Sequence, residues 1–296
     1  MRQAEMSSAR RFYWCVRREL WETPSIYWAP LIVAVVALIG FGIALPTLPD
    51  TMRGASALSP SELREAIQVP YVLAAVALMA IYLLIAAFFC IEALYGERRD
   101  RSILFWKSLP VSDRTTVLAK AAIPILVLPL VTFAATVVTQ GIMLLASSAV
   151  LAGSGIGTAD LRSHLPFLEM WRINFGHLLV FHGIWYAPLY GWLLLVSAWA
   201  PRLPLLWAIL PPVAVGLVER LAFGTSYLAT GIGTHLSGES LPSLDLSNPA
   251  GGMTMDMLAP HPLVHYVVTP ALWGGLALTA VFLLGAARLR RGAGAL

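Results

Sequence analysis

The residues able to do chemistry are few, and their spacing excludes more than it supports. Six histidines occur: His164, His177, His182, His235, His261 and His265. His261 and His265 stand four apart, which would put two imidazoles on one helix face as a metal pair. Pro262 interrupts that helix, and spacing sets no third ligand, so a zinc site is not expected. Lys107 follows Trp106 and Lys120 follows Ala119, so neither belongs to the Gly-Lys-Ser/Thr arrangement that cradles nucleotide phosphates. His-Glu-x-x-His and Gly-x-Ser-x-Gly signatures are absent as well. The chain reads as non-catalytic, with no cofactor and no metal of its own. Cys15 and Cys90 are too few for a disulfide framework.

The remaining polar groups of interest lie in or beside apolar runs, where ionisable and amide side chains are expensive and have reasons to be there. Glu92 is expected to pair with arginines of the loop that follows it. Glu219 and Arg220 are candidates for lining an outer gate. Gln140 sits deep in an apolar run and is expected to hydrogen-bond across helices. His182 reads as a hydrogen-bonded bundle histidine rather than a ligand.

Those runs dominate the chain. Of 296 residues, 58% are apolar and only 12% charged, and the mean hydropathy is +0.75, far from soluble averages. A membrane-spanning helix needs roughly 20 mostly apolar residues. Six stretches qualify, at residues 28–48, 71–94, 119–151, 177–198, 203–223 and 267–287. Pro124 and Pro129 are expected to kink the third, and the fourth and fifth carry Pro188 and Pro211-Pro212. The fold class is therefore an all-α integral membrane protein, one transmembrane domain over residues 1–296. Short loops rich in Lys and Arg stay in the cytoplasm. Fifteen of the 20 basic residues cluster before span one, between spans two and three, after span four and after span six. This places both termini in the cytoplasm. The opening residues are charged and amphipathic rather than a short basic start before an apolar run, so Met1 is expected to be retained. A pI of 9.3 needs no nucleic acid, because the basic residues flank spans and face anionic headgroups of the bilayer.

Between the spans, residues 9–21 put Phe12, Tyr13, Cys15, Val16 and Leu20 on one helical face and Arg10, Arg11, Arg17 and Arg18 on the other. That is the pattern of an interfacial amphipathic helix, over residues 7–23, which Pro24 ends. The loop over residues 95–115 is longer than a turn requires. It carries a charged helical stretch at 97–107, a Leu109-Pro110 break, and Ser112 or Asp113 as a cap for span three. Ile103, Phe105 and Trp106 are large apolar groups in this polar loop, and lipid or a soluble partner is expected to cover them. Residues 224–266 are rich in Gly, Ser, Pro and Met, with short apolar pieces, and by themselves read as a loop.

The order Glu97-Arg98, Arg101-Ser102, Leu109-Pro110-Val111-Ser112 and Lys120 resembles the first cytoplasmic loop of ABC-2 type transporter permeases. The resemblance extends to the amphipathic leading helix, six spans, a short second cytoplasmic loop and a long outer segment, and it implies re-entrant or interfacial helices over residues 224–266 as the alternative to a loop. It implies a cytoplasmic coupling helix in which Glu97, Arg98, Arg101, Ser102, Ile103, Phe105, Trp106, Leu109 and Pro110 meet a separate ATPase subunit. That ATPase would bind the ATP and Mg. The resemblance also implies a second permease, identical or related, in a dimer in a bacterial inner membrane. An apolar path through such a dimer would suit a hydrophobic or amphipathic cargo moving outward. The other function classes are an ion-driven secondary transporter, which lacks visible midplane carboxylates and repeats, and an intramembrane enzyme, which lacks a compact constellation.

Overall fold

The computed structural model describes residues 7–54, 59–108, 110–157, 161, 165–237 and 267–293, and among these there is no strand. Local chemistry sets the helix boundaries. Helix α1 (Ser8–Glu22) starts on Ser7, whose hydroxyl accepts the Arg10 N–H at 3.3 Å, and stops two residues before Pro24. Helix α2 (Ser25–Ala44) passes through a 3-10 turn (Leu45–Thr47) into α3 (Leu48–Arg53). Helix α4 (Pro60–Glu92) opens on a capping box. There the Ser59 N–H donates to the Glu62 carboxylate at 2.8 Å, and the Glu62 N–H donates back to the Ser59 hydroxyl at 3.3 Å. Two short helices follow, α5 (Tyr95–Arg99) and α6 (Ile103–Ser108). Helix α7 (Asp113–Ala122) is capped by Ser112 rather than Asp113, and runs through a π-helical turn (Ile123–Val127) into α8 (Leu128–Gly153). Helix α9 (Phe167–Gly176) continues through a π segment (His177–Trp185) to α10 (Ala187–Trp199). Then come α11 (Pro204–Phe223), α12 (Tyr227–Ser237) and α13 (Pro270–Gly292).

Five helical stretches are long and apolar enough to cross a membrane: Ser25–Arg53, Glu62–Arg99, Asp113–Gly153, Pro204–Phe223 and Pro270–Gly292. Phe167–Trp185 and Ala187–Trp199, bent by 45°, make a sixth if they count as one span. This is the helix set of a multi-pass membrane protein. Helices α4, α8 and α10 supply most of the buried core, whereas α2 and α11 lie at the edge and turn Val36, Ile39, Leu210 and Val213 outward. Outward apolar side chains are what a lipid solvent accepts. Helices α10 and α13 approach through small residues. A Cβ on Gly191 would meet Phe282 Cβ at 3.3 Å, and one on Gly275 would meet Pro188 Cγ at 2.9 Å.

The expected proline kink in the third span takes the form of the π turn. The Leu128 N–H bonds the Ile123 carbonyl, and Pro129 has no N–H to offer Pro124. The Tyr82 hydroxyl donates to the Pro124 carbonyl instead, at 2.6 Å. A second hydroxyl, on Tyr190, donates to the His182 carbonyl at 2.7 Å, and the two phenol oxygens are 3.1 Å apart. The π segments meet at Gly183, where a Cβ would fall 2.5 Å from the Ile125 carbonyl oxygen, so only glycine fits. The Pro124 and His182 carbonyls, left by the π register, have thus found donors inside the bundle.

Candidate functional site

The loop between the second and third spans was expected to hold one helical stretch over residues 97–107. The structure divides it into α5 and α6, separated at Arg101, whose φ of 59° is left-handed. Burial explains the break. Glu97 and Ile103 both turn inward, at 7% and 1% exposure, yet six residues of continuous helix would rotate them about 240° apart. The turn at Asp100–Ser102 re-aims the second helix so that both can be satisfied.

Helix α5 is fastened on every side. The Glu97 carboxylate takes Arg18 and Lys120 on one oxygen, each at 3.1 Å, and Arg290 on the other at 2.9 Å. Lys120 also reaches Glu19 at 2.8 Å, Arg290 pairs with Asp113, and Arg18 pairs with Glu19. Three cations and three carboxylates therefore balance in a buried cluster drawn from α1, α5, α7 and α13. Buried charges persist only when paired and hydrogen-bonded in this way. Burial opposes the charge of Arg18, but Glu19, Glu22 and Glu97 outweigh it and hold its pKa above the ordinary guanidinium value. Burial pushes up the thiol of Cys15, the neighbour that α1 also turns inward. Arg98, 6% exposed, donates to the carbonyls of Ser197 at 2.9 Å and Ala200 at 2.7 Å, capping the end of α10. The Ser197 hydroxyl in turn accepts the N–H groups of Leu94 and Tyr95, each at 2.9 Å. Helix α1, the loop, the start of α7 and the ends of α10 and α13 thus gather at one end of the bundle.

Helix α6 is held from beneath and bare above. Ile103 is buried, and the Trp106 ring lies under the Arg18 guanidinium at 4.0 Å. The Lys107 ammonium caps α13 through the carbonyls of Arg291 at 3.1 Å and Ala293 at 2.5 Å. Leu104 and Phe105, each 60% exposed, point away, Phe105 edge-on to Trp106 at 4.8 Å. Arg101 and Pro110 are exposed, and the Ser102 hydroxyl bonds the Glu97 carbonyl at 3.4 Å. Leu109 lies outside the described residues. Of the nine residues assigned to this loop from sequence, Glu97, Arg98 and Ile103 face the protein's own interior, Trp106 is half-covered, and Phe105 is open. Sequence reasoning missed Leu104 and the inner partners Glu19, Asp113, Ser197 and Arg290. Only Glu19 left a signal, since it falls inside the apolar arc of α1, between Cys15 and Phe12, where a carboxylate needs a cation.

The other candidates resolve individually. Glu92 pairs with Arg99 at 2.5 Å. Gln140 donates to the Tyr71 carbonyl at 3.1 Å and accepts from the Trp171 indole at 2.9 Å, crossing three helices. His182 is buried against Tyr82, Phe181 and Tyr186. Glu219 and Arg220 are not brought together. Glu219 caps α12, accepting from the Thr225 hydroxyl at 2.9 Å and the N–H groups of Tyr227 at 2.5 Å and Leu228 at 2.9 Å, while Arg220 is exposed. The segment expected as re-entrant helix or loop begins as α12, which docks on the π segment. There the Trp185 indole donates to the His235 carbonyl at 2.7 Å, and the Tyr186 hydroxyl donates to that of Leu236 at 2.6 Å. Residues 238–266, with His261 and His265, lie outside the described residues, as does His164. Among the described residues no group of three His, Cys, Asp or Glu could hold a metal. No family model, no curated protein and no solved structure matches this chain.

Proposed function

We propose that the chain is the membrane-spanning permease subunit of an ABC-2 type exporter. In this reading it crosses the inner membrane six times with both termini in the cytoplasm, and it pairs with a second permease. A separate ATPase subunit supplies ATP and Mg and drives outward movement of a hydrophobic or amphipathic cargo. One observation carries the reading: α6 shows an open apolar tip, Leu104 and Phe105, while its Lys107 and the Glu97 and Arg98 of the adjoining α5 tie the loop to several spans at once. A partner seated on that tip would push on α7, α10 and α13 together. Such a contact can bias the bundle between two arrangements only if it differs between them, as any coupled switch requires. α1, packed beside the same cluster, would then lie along the cytoplasmic interface.

The reading is tested by affinity purification of the chain from its native membrane, with mass measurement of the extracted complex. A Walker-containing ATPase with two permeases supports it, whereas a single permease that transports without a nucleotide-binding partner supports a gradient-driven carrier. Sidedness has its own test in a background lacking Cys15 and Cys90. A cysteine at Arg101 or Arg288 should be shielded from an impermeant external reagent, and one at Ser56 or Ser243 should react.

A further inference from the structure

We infer that the elbow between α1 and α2 is a binding site for an anionic phospholipid. A cavity of about 500 Å³ lies there, lined by Tyr13, Val16, Arg17, Leu20, Trp21 and Tyr27. Its charged group is Arg17, which has no carboxylate within ion-pair distance among the described residues, although Arg18 beside it has three. The Arg17 guanidinium is held in place by two indoles, 5.0 Å from the Trp14 ring and 4.7 Å from that of Trp21. Stacked between aromatic rings, it keeps its charge and its planar donor fork while surrendering side-chain freedom, which suits a phosphate.

Three of the other lining residues are held in place. Val16 and Leu20 pack against the main core, and the Tyr27 hydroxyl donates to the Leu20 carbonyl at 3.1 Å, pinning the first turn of α2 to the last turn of α1. From Tyr27 the outward surface of α2 continues through Leu31, Ile32 and Val35, all exposed, along a stretch apolar enough to cross the membrane. A headgroup phosphate on Arg17 therefore leads its acyl chain onto a continuous apolar track. Exposed Tyr13, Trp14, Trp21 and Trp28 surround the elbow, the residue types that sit at headgroup level. An uncompensated cation selects net negative charge, and the apolar track selects a lipid over a free phosphate.

This inference rests on the membrane-spanning reading and not on the permease reading, and its test needs no ATPase. The full chain is extracted in detergent with equal phosphatidylglycerol and phosphatidylcholine, and native mass spectrometry counts the lipid retained. Phosphatidylglycerol should be favoured roughly fivefold, as one basic side chain near the bilayer implies. Arg17→Gln should abolish the preference, while Arg10→Gln, on the exposed start of the same helix, should leave most of it. Millimolar inorganic phosphate should not displace the lipid. Equal retention of the two lipids by the unmodified chain would overturn the site, whether or not the variants fold. Full preference in Arg17→Gln, or displacement by phosphate alone, would overturn it too.

Discussion

Helices α5 and α6 share one loop and a similar length, α5 mostly charged and α6 mostly apolar, yet each ends in the environment its composition argues against. In α5 the charged residues Glu97 and Arg98 are buried, whereas in α6 the apolar residues Leu104 and Phe105 are exposed. The difference comes from what stands opposite each helix. Helix α5 faces three cations, the bare carbonyls at the end of α10 and the Ser197 hydroxyl, while the upper face of α6 is open among the described residues. A charge can be an anchor and a phenylalanine a contact surface when the neighbours demand it.

The comparison breaks most readily at Glu97. Glu97→Ala leaves Arg18, Lys120 and Arg290 buried without the carboxylate they share, and should lower stability by about 3–5 kcal/mol. Unfolding in mixed micelles would show it, and a loss under about 1 kcal/mol would mean that the cluster is not a structural node. Arg98→Ala should follow at about 1.5–3 kcal/mol, since it strips a charged donor from two carbonyls at the end of α10. Arg98→Lys should recover only part of this, because a single ammonium cannot reproduce the guanidinium fork. A smaller effect, about 1 kcal/mol, is expected for Trp106→Ala through the lost Arg18 contact. Gly183→Ala supplies a reference inside the bundle, where the added methyl has no room against Ile125 and should destabilise by about 1–3 kcal/mol. Gly141→Ala, with open space at its Cβ, should be neutral or better.

These cases also mark what could be read in the sequence. The apolar runs, a cap at Ser112 or Asp113, the pairing of Glu92 with an arginine of its loop and the cross-bundle role of Gln140 were legible, because each depends on local spacing or on the expense of a lone polar group in lipid. The π turn was half-legible: Pro124 and Pro129 announced a disturbance, but the Tyr82 hydroxyl that repairs it comes from 42 residues earlier. The break in the helical stretch at residues 97–107 was not legible. A continuous helix satisfies the charge pattern of residues 97–107 equally well, and only the positions of Lys120, Arg290 and Ser197 force the turn at Arg101. For the same reason Ile103 was assigned outward and Leu104 was passed over. Glu219 and Arg220, adjacent in sequence, were read as one feature, although α12 takes Glu219 for its own N-terminus.

The tip of α6 separates stability from partner binding, and it gives the most direct test of the account. In the double variant Leu104→Ala with Phe105→Ala, the chain's unfolding midpoint and its retention of the proposed ATPase partner should be measured on the same preparation. The account predicts stability within about 0.5 kcal/mol of the parent, as for surface substitutions. It also predicts roughly 30-fold weaker retention of the ATPase, as for a lost hot spot of about 2 kcal/mol. A variant that keeps the ATPase at parental affinity, or one that unfolds, would contradict the division of this loop into an inner anchor and an outer contact.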